Sequence, residues 1–364
     1  MKKTIILLFV LCMMLPSAVT AAEGNGQVSL IVKSSSHSLH QTVLKIKSDK
    51  IVQALFQAKT IEPVSEIPHS NHYLLLEDKG TVRIFVLDYK NGLYDVQQKE
   101  KIQVEEKIIN KLNDYFSGLE AHHFGTVLSW EEVDKLIPRY TSFTITDIET
   151  GLKFEAQRRA GSSHADVQPL TTKDTKIMKE IYSGKWSWKR RAILVHHEGK
   201  MIAASMHGMP HGGGALANNF PGHFCIHFKG STTHRSKSLD LSHQVMVYKA
   251  GGMLAPYVQQ LPPNQVVELF LIAINQNDLD LLNLIYKDQN GESQKLIEEI
   301  ESIRLVKKKN PPSITGPLVY ELPLSFLVKK KNKGEVGSFY TFQVRRDSPT
   351  GDWKLESVPT DLLH

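Results

Sequence analysis

Residues 203–230 read AASMHGMPHGGGALANNFPGHFCIHFKG. A strand runs into His207, a glycine-rich loop follows, and a tight extended segment carries Cys225. Side chains two apart on an extended segment share a face, so His227 looks the same way as Cys225. Eight of the sixteen histidines lie between His196 and His243, a density that asks for a chemical reason.

Working outward, residues 142–147, 152–158, 191–195 and 201–206 alternate or run apolar as strands. Helices are expected over 130–137, 172–182 and 241–250, the last stopped by Gly251 and Gly252. Upstream, 28–32, 73–76 and 82–87 read as strands, and 49–59 and 104–116 as helices. In the second of these Val104, Ile108, Ile109, Leu112 and Phe116 recur at helical spacing. Downstream, Pro262-Pro263 reads as a linker and 266–286 as one long helix. Strands are expected at 303–307, 318–327 and 339–345, with a last one starting at 352. The expected fold class is therefore multidomain α+β. Its parts are a leader over 1–21, a small α+β unit over 23–125, a central β-rich unit over 126–258 and a helix-plus-curved-sheet unit over 263–364.

The compartment is set by the first residues. Lys2 and Lys3 precede an apolar run over 5–15, and small residues lead to Ala21 and Ala22. That is the pattern of a secretory leader cut after Ala21 or Ala22, and it predicts a secreted, extracytoplasmic protein. No later stretch is long and apolar enough to span a bilayer. The formal charge of +6 includes Lys2 and Lys3. What remains is mildly basic and dispersed, which allows contact with an anionic wall but gives no nucleic-acid footprint. Of two cysteines, Cys12 leaves with the leader and Cys225 stands alone. Exported proteins tend to pair their thiols or avoid them.

A cysteine nucleophile needs a base to take its proton, a group to orient that base, and N–H donors for the oxyanion that forms. Histidine supplies the base and a backbone carbonyl can orient it. Here the residues resemble a known family. L,D-transpeptidases of the YkuD-like type carry a histidine-glycine or histidine-serine pair, a gap of about fifteen residues, and then Ser/Thr-His-Gly-Cys. This chain has His207-Gly208 and, after the gap, Gly222-His223-Phe224-Cys225. The resemblance covers 142–249. It implies Cys225 as nucleophile, His207 as general base oriented by the Gly208 carbonyl, and His223 supporting the loop or binding substrate. The backbone N–H groups of Phe224 and Cys225 are then the oxyanion donors. His227 and His211 are expected on the substrate side. The chain departs from the family at Gly222, Phe224 and His227. The implied partners are peptidoglycan stem peptides, cross-linked by transpeptidation or trimmed by an L,D-carboxypeptidase using the same site. The C-terminal region resembles the NTF2-like curved-sheet fold, without a diagnostic motif.

Other readings stay open. His207, His211, His223, Cys225, His227 and His234 hold the donor types for zinc or copper, but their spacing makes no paired zinc motif. No metal or cofactor is expected. A non-catalytic wall-binding protein is the third reading. Residues 162–166 (SSHAD) read as a polar turn more readily than as an extended segment facing a cleft. His234 and His243 read as surface or capping residues, and Asp240 as a helix N-cap. Trp186 and Trp188 read as core packing rather than groove lining.

Overall fold

In the central region, every strand places alternate residues in one apolar cluster. The computed structural model describes residues 26–78, 80–234, 237–288, 291–306, 313–359 and 362; the expected leader lies outside them. Among these residues the chain is a mixed α/β protein with three sheets, one of them a closed barrel.

The first region holds β1 (Gln27–Val32), β2 (Thr42–Lys47), α1 (Asp49–Phe56), β3 (Lys59–Pro63), β4 (His72–Asp78), β5 (Thr81–Leu87), β6 (Leu93–Asp95), β7 (Glu100–Gln103) and α2 (Glu106–His123). Its antiparallel sheet runs β2-β1-β4-β5-β6-β7-β3. Ile108, Ile109, Leu112, Phe116 and Leu119 form the buried stripe of α2, packed with Val28, Leu30 and Val32 of β1. The helix runs a further two turns beyond the expected 116, because Leu119 and His123 continue the buried stripe.

The central region comprises α3 (Trp130–Leu136), β8 (Ser142–Asp147), β9 (Lys153–Ala160), β10 (Ala165–Pro169), α4 (Thr172–Ile181), β11 (Arg190–His197), β12 (Lys200–His207), β13 (Phe224–His227) and α5 (Leu241–Ala250). The barrel order is β10-β13-β12-β11-β8-β9, and β9 pairs back to β10. Phe143, Ile145, Phe154, Ala156, Val167, Ile193, Val195, Ala204, Met206, Phe224 and Ile226 belong to one buried cluster. All six strands contribute to it, so it fills the barrel interior. α3 and α4 begin with capping boxes, Ser129 with Glu132 and Thr171 with Asp174.

α6 (Leu254–Gln259), α7 (Pro263–Gln276), α8 (Leu279–Ile285), α9 (Glu292–Glu299), β14 (Ile300–Leu305), β15 (Ile314–Thr315), β16 (Val319–Lys330), β17 (Glu335–Arg345) and β18 (Lys354–Leu355) complete the chain. The third sheet runs β14-β16-β17-β18, with β15 beside β16. One apolar cluster joins its Phe326 and Phe342, Phe270 of α7, Val245 of α5 and the outward-facing Leu194 and Ala203 of the barrel. Two expectations are corrected. Pro262-Pro263 is a helix start, with Pro263 at the first helical position, where its missing N–H costs nothing. The single helix over 266–286 is two: Asn277 adopts a left-handed conformation and Asp278 caps α8 through Leu281 N. Among the described residues no helix is long and apolar enough to cross a membrane.

Candidate functional site

Strand parity builds the site. Phe224, Ile226 and Phe228 enter the interior cluster, so Cys225 and His227 face out of the barrel. Asp166 of β10 is paired directly with Cys225, and Ser205 of β12 with His227. A polar row therefore crosses the outside of three adjacent strands. Part of it is roofed by α5, whose His243 stacks on His227 at 3.8 Å and meets Ser205 Oγ through Nδ1 at 2.9 Å.

The glycine-rich loop brings the remaining groups to the row. His211 and His223 form a reciprocal backbone pair, with N···O distances of 3.0 and 2.9 Å. Their close approach requires Gly222, whose φ is +122° and where a Cβ would lie 2.4 Å from the His211 carbonyl oxygen. Gln168 on β10 straps the loop down, donating to the Gly222 carbonyl at 2.8 Å and accepting from Ala215 N at 2.9 Å.

Cys225 is 4% exposed, and its Sγ lies 3.3 Å from His211 Nε2. His211 Nδ1 is 3.1 Å from the Met209 carbonyl oxygen. A carbonyl only accepts, so Nδ1 carries the proton and Nε2 offers its lone pair to the thiol. Burial, together with the neighbouring Asp166 carboxylate, pushes the Cys225 thiol well above the ordinary range. Burial opposes ionisation of Asp166 too, but His164, His223 and His234 around it hold its carboxyl down at about 2.

The other expected residues fall as follows. His207 is buried beside this couple, its ring 5.2 Å from that of His211 and 4.6 Å from that of Trp188. Its Nδ1 has no hydrogen-bond partner, and burial lowers its pKa to about 2, so the ring is neutral. The orienting carbonyl expected at Gly208 is supplied to His211 by Met209. Gly208 instead donates its N–H to Ser187 O and leaves room for the Tyr182 ring. His223 donates through Nδ1 to Gly213 O at 3.0 Å and turns Nε2 toward Asp166. His227 is buried in a stack between His164 and His243, not in an open groove. Phe224 and Cys225 are consecutive residues of a strand, and consecutive strand N–H groups point to opposite edges. These two therefore do not converge on one oxyanion, and the Phe224 side chain lies inside the barrel.

Four residues of the cluster stand otherwise than the favoured sequence reading placed them. His164 and Asp166 do not form a polar turn: Asp166 lies on β10, and His164 is 1% exposed. The signal was their separation by two, which puts both on one face of an extended segment. It was weak because Asp and Pro are poor strand residues. His234 is no isolated surface residue, since its Nε2 stands 3.2 Å from Asp166 Oδ1. His243 is a buried residue of α5 that faces the barrel. Asp240 does cap α5, accepting from His243 N, and pairs with Arg190 at 2.7 Å. Trp186 packs edge-on against Phe220, whereas Trp188 is half exposed over His207 and His211. A cavity of about 350 Å³ lies away from Cys225 and is lined by Arg190, Arg191, Lys249, Glu149 and Asp278 among others.

No family model, curated protein or solved structure matches this chain.

Proposed function

We propose that this chain is a secreted cysteine acyltransferase of L,D-transpeptidase type acting on peptidoglycan stem peptides. Its catalytic region would then be a divergent YkuD-like domain, followed by an NTF2-like domain. The observation that carries the reading is the couple of Cys225 Sγ and His211 Nε2 at 3.3 Å, with the tautomer of His211 set by the Met209 carbonyl. The motif at 222–225 supports the same nucleophile.

In this reading His211, rather than His207, is the general base. Sγ attacks the carbonyl carbon of the bond to a D-residue while its proton passes to His211 Nε2. The carbonyl π pair moves to oxygen. Collapse expels the amine, which takes the proton from His211, and leaves a thioester on Cys225. An acceptor amine then attacks and gives its proton to His211; the thioester opens and the thiol is restored. Because the resting thiol is protonated, deprotonation accompanies attack and depends on the in-line base. Buried, neutral His207 supports the His211 ring through packing.

Mature protein is incubated with tetrapeptide-stem muropeptides and the products are read by mass spectrometry. Loss of the terminal D-residue, with cross-linked dimer, is expected from wild type. Cys225→Ala is expected to abolish turnover, His211→Ala to reduce it at least ~100-fold, and His207→Asn to retain most of it. Equal activity in His211→Ala and wild type, with both folded, would remove His211 from the mechanism. Turnover in Cys225→Ala would remove the whole proposal.

A further inference from the structure

We propose that His164, Asp166, Cys225 and His234 form a binding site for a divalent transition-metal ion of the zinc class, and that the bound ion masks the Cys225 thiol. Metal binding stands on the geometry alone; the masking rests on the acyltransferase reading above.

The donor atoms of these four residues all lie within 4.8 Å of one another. Around Asp166 Oδ1 the spacings are 3.3 Å to His164 Nε2, 3.2 Å to His234 Nε2 and 3.7 Å to Cys225 Sγ. Tetrahedral zinc with bonds of about 2.0–2.3 Å places its ligand atoms about 3.3–3.8 Å apart. The donor types are those zinc takes: imidazole nitrogen, thiolate sulfur and carboxylate oxygen. One carboxylate and one thiolate balance the charge of a divalent ion.

The second observation concerns His164, which is 1% exposed. Its Nδ1 is 2.7 Å from the Thr232 carbonyl oxygen. That puts a proton on Nδ1, so in the neutral ring Nε2 carries a lone pair. Nε2 is buried without a hydrogen-bond partner and faces the Asp166 oxygen, another acceptor, at 3.3 Å. With the ring neutral, two acceptors face each other in a buried place, and a cation between them, a metal ion or a second ring proton, satisfies both. A ligand histidine whose other nitrogen donates to a backbone carbonyl is the usual outer-shell arrangement of a metal site. Thr232 N also donates to Ser163 O at 3.1 Å. The segment leading to His234 is thereby pinned to the stretch that carries His164 into β10.

A second group, His207, His211 and Cys225, also clusters within 4.8 Å. It offers three donors and no carboxylate, and its His211 Nε2 already faces the thiol of Cys225. The four-donor site is the stronger one. On binding, the thiol releases its proton to solvent and Sγ becomes a metal ligand. The nucleophile is then withdrawn from His211 until the ion leaves.

The mature protein is stripped with a chelator and titrated with cobalt(II) as a spectroscopic probe. One equivalent is expected to bind with a thiolate-to-cobalt charge-transfer band. The band should vanish in Cys225→Ser and persist in His211→Ala. Affinity should fall at least ~10-fold in His164→Gln and in His234→Ala. His234 is half exposed, so its truncation leaves the fold intact. Absence of the band in wild type overturns the site. A band that survives His164→Gln and His234→Ala but is lost in His211→Ala also overturns it, by assigning the ion to the other group. Muropeptide turnover is measured separately on the stripped protein. Zinc is expected to suppress wild-type turnover at least ~10-fold and to affect His234→Ala much less. Turnover without a cobalt band defeats the metal site alone. A cobalt band without turnover in stripped protein defeats the acyltransferase reading alone, and unchanged turnover with zinc bound defeats the masking.

Discussion

At Gly222 the chain does something few residues allow. Its φ of +122° and the 2.4 Å separation of a would-be Cβ from the His211 carbonyl oxygen hold the His211 and His223 backbones against each other. That pairing puts His211 Nε2 on Cys225 Sγ. Gly222→Ala combines a disfavoured backbone with a direct clash. The substitution is expected to cost about 1–3 kcal/mol and to pull His211 off the thiol. Urea unfolding and thiol alkylation rates check both effects; an unchanged midpoint together with an unchanged rate would contradict the assignment. The glycine at 222 is thus explained by the way this loop closes. Phe224 serves the barrel interior and needs no unusual backbone.

Elements are joined here by short capped breaks. Asp278 caps α8 through Leu281 N and, through its other oxygen, accepts from Lys249 Nζ of α5 at 2.9 Å. Lys249 is 6% exposed, and its second anionic partner is Glu149 at 3.0 Å. Asp278→Ala removes a cap worth about 1 kcal/mol and half of the compensation for a buried cation. Breaking a buried pair costs about 3–5 kcal/mol, so a loss of several kcal/mol is expected in denaturant unfolding. Asp278→Asn, which keeps the capping oxygen, should lose less. Equal losses in the two variants would mean that the cap and the charge cannot be separated in this way.

Over the whole molecule, buried neutral histidines tie stability to pH. His123 ends α2, meets Thr42 Oγ1 at 3.0 Å and stacks on His40 at 4.7 Å, while its Nε2 has no partner. Burial, with His40 adding to it, lowers its pKa to about 3. An unfolded histidine titrates near ~6.5. Between these values the unfolded chain binds a proton that the native chain refuses. The stability this group contributes is therefore full above about pH 6.5 and falls as pH drops toward 3. At pH 5 the loss from His123 alone is about 2 kcal/mol. Urea unfolding at pH 7 and pH 5 should show that difference in wild type, and a slope flatter by that amount in His123→Asn. Parallel slopes would show that His123 does not carry the effect. Lys249 acts at the same scale: Glu149, its partner in the β8–β9 turn, also accepts from Ser35 at 2.7 Å. One buried network thus links the N-terminal region, the barrel and the C-terminal helices.

Local pattern determined a good part of this. The strands at 142–147 and 82–87, the helix over 241–250 and its Asp240 cap follow from periodicity and caps, which act within a few residues. So does the face shared by Cys225 and His227, which alternation alone sets. Short strands such as β3, β6, β7 and β10 were not legible, because their residues are poor strand formers held by pairing with distant partners. The break at Asn277 was hidden by an apolar stripe that continues across it. Which histidine meets the thiol was a tertiary decision. His207 and His211 are four apart in sequence, and only the backbone pairing of His211 with His223 chooses between them. Asp166 lies 59 residues from Cys225 and faces it because the barrel closes β10 against β13. Sequence carries the parity of each strand; the register between strands, set by packing the barrel interior, decides which polar groups share a site.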